Sequence, residues 1–404
     1  MSDPHAATVP ATLEAGDAPA PQLRSLPILF TGSGSEYFRI WIVNLTLILV
    51  TCGLYFPWAK VRRLRYFYGN TLVGGEPLGF HGNAFKMFKG FVIVALFFIA
   101  YSVAGKVSAT AGFIAFLVIS ALWPALFKSS LQFRMANTSW RGLRFGFGGT
   151  MRDAYVACLP LFLPSILILG LFLASPELQH PVPGKMPGAG WMWALGGVFL
   201  LSAIISPWLL WNLKRYQHSH YRLGTVTTQF DAKPRAFFWV TAKVMGFTAL
   251  ISVLTFAAIA LAMGLIKVSG IANGLPSKSP LVLFMIGVVA FGAFFLAFTL
   301  IKPYAISRTQ NLVWNATGQA ELRFVSALRF APLLWMTLKN WILMVLTLGL
   351  YWPFASVAMA RLRLQAVHIE TTVANDNWVA GTPSGTRDTT GEAAGDFFGF
   401  DIGL

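Results

Sequence analysis

The side chains best suited to chemistry in this chain are cationic and aromatic rather than nucleophilic. Trp58, Lys60, Arg62, Arg63 and Arg65 follow directly on an apolar run, in Gly53-Leu54-Tyr55-Phe56-Pro57-Trp58-Ala59-Lys60-Val61-Arg62-Arg63-Leu64-Arg65. Arg215 and Arg361 stand just past two later apolar runs. Ammonium and guanidinium groups beside indole and phenol rings suit an anionic headgroup or an anionic solute, at about 1 kcal/mol per charge near an anionic surface. The plainer reading is anchoring, with rings at the headgroup level and basic residues setting orientation. A second set is polar and lies inside or beside apolar runs: Asn44, Lys339 and Asn340. Polar groups within a membrane span are functional candidates; hydrogen bonding between helices is the plainer account of the two asparagines.

Other chemistries find little support. His218 and His220 form an H-x-H pair, but Lys214 and Arg215 beside them oppose a metal, and only Asp231 is near enough in sequence to add a carboxylate. His81 and His180 have no evident partner. No GxSxG, HExxH, Walker A or convincing GxGxxG pattern is present, and Gly32-Ser33-Gly34 reads as a turn. Cys52 and Cys158 lie in apolar runs and read as small buried hydrophobes. No enzymatic activity, cofactor or metal is therefore expected. The spans hold almost no acidic residue, which disfavours proton- or sodium-coupled transport.

The elements that position these groups follow from composition. Of 404 residues, 56% are hydrophobic and only 11% charged, and the mean hydropathy is +0.62. A soluble domain carries about a quarter charged residues, so most of this chain is solvated by lipid. The formal net charge of +16 is explained by basic residues flanking spans, and no nucleic-acid-binding signature accompanies it. Eight stretches approach the roughly 20 apolar residues a bilayer core needs: 38–57, 90–107, 108–127, 154–174, 189–211, 237–266, 280–301 and 333–352. The connections 58–89, 125–153, 212–236 and 302–331 hold 20 Lys and Arg, and the three between them hold 4. The positive-inside rule places the basic set in the cytoplasm. Eight crossings would leave both termini outside, whereas Arg361 and Arg363 after the last stretch favour a first or last stretch that is re-entrant or interfacial. Residues 1–26 and the acidic stretch 371–404 read as disordered tails flanking a membrane domain at 27–370.

The apolar runs end alike. Pro57, Pro124, Pro207, Pro303 and Pro353 each close one, and eight residues later stand Arg65, Gln132, Arg215, Asn311 and Arg361. The first and last units match best: NLTLILVTCGLYFPWAKVRRLR against NWILMVLTLGLYWPFASVAMARLR, ungapped from Asn44 with Asn340 to Gly53 with Gly349. Internal duplication explains this better than chance. After each basic run come alternating, Gly-containing segments (72–82, 140–149, 225–232 and 320–326), with a similar one at 27–38. They read as short strands or hairpins at the cytoplasmic surface, because unpaired strands do not lie in lipid. The shared Pro-aromatic ending reads as a device that stops a span at headgroup depth.

With these motifs in view, the chain resembles the YjgN-like family of bacterial inner-membrane proteins, a family of unknown function. The resemblance rests on TCGLYFPWAKVRRLRYFYGNTLVGG (51–75), the following LGFHGNAFKMFKGF and the C-terminal TLGLYWPFASVAMARLRL. It covers about residues 27–370. It implies a multi-pass inner-membrane protein and transfers no site residue. The expected architecture is an all-α transmembrane bundle of about eight spans built from duplicated units, with short β segments at the cytoplasmic face. Two functions stand open: a passive transporter, channel or lipid-interacting protein contacting anionic headgroups, and a structural or regulatory scaffold presenting cytoplasmic loops to a partner.

Overall fold

The alternating segments between the apolar runs pair with one another across the whole chain. The computed structural model describes residues 24–179, 188–268 and 280–372. Among these residues it contains eleven strands, all in one sheet whose pairings are antiparallel. They are β1 (Arg24–Phe30), β2 (Thr71–Val73), β3 (Glu76–Phe80), β4 (Thr138–Trp140), β5 (Leu143–Phe147), β6 (Tyr221–Leu223), β7 (Val226–Thr227), β8 (Gln229–Phe230), β9 (Thr317–Gln319), β10 (Leu322–Ser326) and β11 (Val367–Thr371). Their order across the sheet is β7-β6-β5-β4-β3-β2-β1-β11-β10-β9-β8. The two ends, β7 and β8, are separated in sequence by Thr228 alone. The sheet therefore curls into a nearly closed barrel with almost no free edge. Several strands divide themselves between neighbours and so turn a corner. In β1, Arg24–Pro27 pair with β11 and Ile28–Phe30 with β2.

Helices leave and re-enter this barrel in pairs. They are α1 (Gly34–Val50), α2 (Phe56–Gly69), α3 (Ala84–Val107), α4 (Ala109–Ala136), α5 (Met151–Cys158), α6 (Leu163–Ala174), α7 (Pro176–Gln179), α8 (Ala189–His218), α9 (Pro234–Val268), α10 (Pro280–Asn315), α11 (Phe330–Leu346) and α12 (Trp352–Gln365). A 3-10 segment, Leu159–Phe162, joins α5 to α6. The packed pairs are α1 with α2, α3 with α4, α6 with α8, α9 with α10 and α11 with α12, and α12 also packs on α1. Ser33, Asn83 and Thr150 cap helices leaving the barrel, each accepting from a backbone N–H of the first turn. On the returning side, Pro57 and Thr71, Pro124 and Thr138, Pro207 and Tyr221, Pro303 and Thr317, and Pro353 and Val367 are each 14 residues apart. The second residue of every pair opens a strand.

These observations correct the expected all-α bundle of about eight spans. The β segments form a nearly closed structural ring, not surface ornaments. Among the described residues, five helical stretches are long and apolar enough to cross a membrane: Ala84–Val107, Ala109–Ala136, Met151–Ala174, Gly190–His218 and Pro234–Leu261. Between 6 and 22% of their most apolar windows is buried within the protein, as expected of helices whose solvent is lipid. The expected first and last spans, 38–57 and 333–352, are broken by turns, and the chain doubles back through α2 and α12. Each of α1 and α11 has 17 residues, about 25 Å of helix at 1.5 Å per residue, short of a roughly 30 Å hydrocarbon core. The expected span at 280–301 is the first part of α10 and is not among the five. The expected tails lie outside the described residues, except that Arg24–Leu26 belong to β1, Thr371 belongs to β11 and Thr372 follows it.

The proline motif changes meaning accordingly. It does not end a span beside the basic surface. In α2 and α12 it starts the return helix at the tip of a helical hairpin, 14 residues away from the barrel. The two tips share one design. Cys52 and Gly53 have φ of 48° and 92°, and Leu348 and Gly349 have 50° and 91°. Gly53 N–H donates to Ile48 O and Gly349 N–H to Met344 O, both at 2.8 Å. Thr51 Oγ1 donates to Leu47 O at 2.7 Å and accepts the Tyr55 N–H at 3.0 Å; Thr347 does the same with Leu343 O and Tyr351 N–H. A turn so fully satisfied by its own groups tolerates an apolar medium. The tip side chains suit one too: Val50 is 75% exposed and Leu348 94%.

Two outcomes follow. Every helix pair starts and ends at the barrel, and β1 pairs with β11, so the first and last described strands lie together on the barrel side. Reporter fusions to the N- and C-terminus will both read as cytoplasmic; opposite readings, or two external ones, refute the arrangement. Gly53→Val and Gly349→Val will each cost on the order of 1–2 kcal/mol, because an L side chain is forced into positive φ, read as a lowered thermal midpoint in detergent.

Candidate functional site

The barrel and the helix ends above it enclose a chamber of about 430 Å³. Its walls follow strand alternation, residues two apart facing one side: Leu26 and Ile28 in β1, Thr71 and Val73 in β2, Thr138 and Trp140 in β4, Tyr221 and Leu223 in β6, Val367 and Ile369 in β11. Leu26, Val73 and Trp140 are buried together, with Ile28, Leu78, Phe145, Leu223 and Ile369 packed on them. The Trp140 indole N–H donates to Val73 O at 3.1 Å, tying one β hairpin to the next. Beside this apolar layer the lining becomes cationic. Arg63 of α2, Arg134 of α4 and Arg363 of α12 line the chamber, Arg222 of β6 borders it with its guanidinium on the other face of the strand against Gly148, and no Asp or Glu is among its described lining residues.

These arginines are positioned in different ways. Arg363 Nε donates to Gln310 Oε1 at 2.9 Å, and Gln310 Nε2 donates back to Arg363 O at 3.1 Å. The Arg63 guanidinium lies 5.8 Å from the Trp352 ring centroid and 5.9 Å from that of Phe67, within cation–π range. Burial raises the Tyr221 phenol above its ordinary pKa, and the charge of Arg134 opposes that rise. Helices α2, α4, α8, α10 and α12 end at the barrel. Each C-terminus brings about half a negative charge and each N-terminus about half a positive one; α1, α3, α5, α9 and α11 start at the barrel, so the two sets offset each other and the guanidiniums of Arg63, Arg134 and Arg363 set the sign of the lining. The chamber is thus a positively charged, aromatic-walled cavity. It suits an anion with an apolar or aromatic body.

Of the residues singled out from sequence, only Arg63 lines this chamber. Arg62 is exposed, its guanidinium 5.8 Å from the Tyr55 centroid. Arg65 Nη2 donates to Gly82 O at 3.4 Å, and Arg361 Nη2 to Gly32 O at 2.8 Å, each reaching the loop that caps a neighbouring helix. Arg215 is exposed over Trp211, at 5.3 Å. Trp58 packs on Tyr55 and Phe88. Lys60 lines a second, apolar crevice between α2 and α3. Asn44 and Asn340 are each the eleventh residue of their helix, α1 and α11. They are 6% and 4% exposed, and neither side-chain carbonyl oxygen has a hydrogen-bond partner. Neither lines the chamber or the crevice, and Lys339 is exposed. His218 is enclosed by the rings of Tyr221, Phe230 and Trp314 and lies 3.1 Å from Thr317 Oγ1. His220 Nδ1 contacts Tyr216 O at 2.9 Å, so the two imidazoles serve separate partners.

Sequence reasoning assigned Arg134, Arg222 and Arg363 to topology alone. A signal for two of them was present: Arg134 and Arg363 each lie ten residues after their proline, Pro124 and Pro353. Arg222 sits on a strand and has no such register mark.

A nearly closed barrel carrying lipid-exposed helix pairs defines an integral membrane protein. The chain belongs to a family of bacterial proteins of unknown function, DUF898, whose model matches residues 25–397. It is similar to the inner membrane protein YjgN of Salmonella typhimurium, at 26% identity over 341 residues, covering 82% of this chain and 85% of that protein. YjgN of Escherichia coli O157:H7 is 29% identical over 158 residues, 38% of this chain and 39% of its own length. YjgN of Escherichia coli K12 is 29% identical over 151 residues, 35% and 36% of the two chains. No solved structure matches. The protein resides in the bacterial inner membrane.

Trp140→Ala will remove the largest side chain of the apolar layer, at a cost of about 3–5 kcal/mol. A thermal midpoint within a degree of wild type, measured in detergent, would show that the layer does not hold the barrel together.

Proposed function

We propose that the protein is a multi-pass passive conduit for small organic anions, built from duplicated helix–hairpin–helix units. The supporting observation is the chamber itself, a nearly closed ring around about 430 Å³ with Arg63, Arg134 and Arg363 in its lining and no described carboxylate. In this reading α10, with 36 residues, joins the five candidate spans as a sixth crossing. The pairs α1/α2 and α11/α12 enter without crossing. An even number of crossings keeps both termini with the barrel in the cytoplasm, where the basic connections belong. The arginines attract and concentrate anions at the mouth of the ring. The apolar layer of Leu26, Val73 and Trp140 closes the route in the state described, as hydrophobic constrictions close channels by excluding water.

The test is the reversal potential of planar bilayers containing the purified protein, under a gradient of sodium benzoate. Wild type will show anion selectivity, and the Arg134→Gln/Arg363→Gln pair will lose most of it at unchanged incorporation. Conductance equal to protein-free bilayers, or cation selectivity, would refute the proposal.

A further inference from the structure

The second cavity differs from the chamber in chemistry and location. It measures about 400 Å³ and lies between the tip of the α1/α2 hairpin and α3. Ile48, Phe56, Met87, Phe91 and Phe98 are among its walls, and Lys60 is the one charged side chain lining it. Phe56 meets Phe91 at 6.0 Å and Trp58 meets Phe88 at 5.4 Å, holding the hairpin against α3. The chamber shares no lining residue with it.

Three observations say what fills it. The flanking surface is apolar and outward-facing: Leu49 is 69% exposed, Leu96 and Ile99 59% each. Molecules with hydrocarbon tails are what such a surface meets. The cavity also has a polarity. Met87 is near the start of α3, at the barrel end, and Phe98 lies three turns farther out. Lys60 follows the hairpin tip on the helix that returns to the barrel. An amphipathic molecule therefore fits with its head toward the barrel and its tail toward Phe98. Finally, Lys60 gives the apolar lining a positive charge, and a cation at headgroup depth attracts an anionic phosphate.

We propose that this crevice binds one anionic phospholipid of the barrel-side leaflet, with an acyl chain between the hairpin tip and α3 and its phosphate at Lys60 Nζ. The site stands independently of the conduit. Native mass spectrometry of the full chain in detergent, titrated with dioleoyl phosphatidylglycerol or dioleoyl phosphatidylcholine, tests it. Wild type will retain one phosphatidylglycerol about fivefold better than phosphatidylcholine, the ratio one surface charge supplies. Lys60→Gln will abolish the preference, Lys60→Arg will keep it, and Ala95→Trp, which fills the crevice, will remove the retained lipid of either kind. Equal retention of both lipids by wild type, or an undiminished preference in Lys60→Gln, overturns the proposal. Should Ala95→Trp fail to fold, the Lys60 pair decides alone. Loss of anion selectivity in bilayers with the lipid preference intact would count against the conduit and leave this site standing.

Discussion

The structure depends on where the backbone hydrogen bonds of β1 and β11 go. A strand edge exposed near a membrane leaves N–H and C=O groups without partners, and lipid offers none. The first strand meets this constraint by pairing along half its length with the last strand, from Arg24 with Thr371 to Pro27 with His368, and along the other half with β2. That seam converts a row of hairpins into a barrel. Once the barrel is nearly closed, each helix leaving it must return to it, and the helix pairs, the shared side of β1 and β11 and the central chamber all follow.

Within that frame the helix pairs differ in length for a readable reason. Residues of α3, α4, α8 and α9 continue apolar past the level where α1 and α11 turn back. The turn is made possible by a short set of groups: a threonine that both donates and accepts, two residues at positive φ, and a proline within the first two positions of the return helix. Pro124, Pro207 and Pro303 stand in the same register with respect to their strands but sit inside continuous helices. The proline alone therefore does not break the chain. The Thr51–Gly53 and Thr347–Gly349 turns do, and no described residue at the matching positions before Pro124, Pro207 and Pro303 has a positive φ.

Much of this was legible in the sequence. The register of five prolines, the match of Asn44–Gly53 with Asn340–Gly349 and the alternating segments after each basic run were all visible. The first or last stretch was also suspected of turning back. Closure was not legible, because hydrophobic periodicity reports which face of a strand is buried and not which strand lies beside it. Turns at Thr51 and Thr347 were hidden because their backbone groups are satisfied locally, so the flanking side chains stay apolar and the run reads as one span. The cationic chamber was missed for a third reason. Arg63, Arg134 and Arg363 are far apart in sequence and converge only through the ring, whereas the dense local cluster Lys60–Arg65 contributes Arg63 as its one cation there.

The seam between the ends also sets a clock for assembly. β1 leaves the ribosome long before Thr371, the partner of Arg24, which follows 347 residues later. At about 5–20 residues per second, the interval between them runs from roughly twenty seconds to about a minute. Throughout that time β1 has β2 on one flank and nothing on the other. A chain that stops before β11 never supplies the missing strand and leaves Arg24–Pro27 as an open edge.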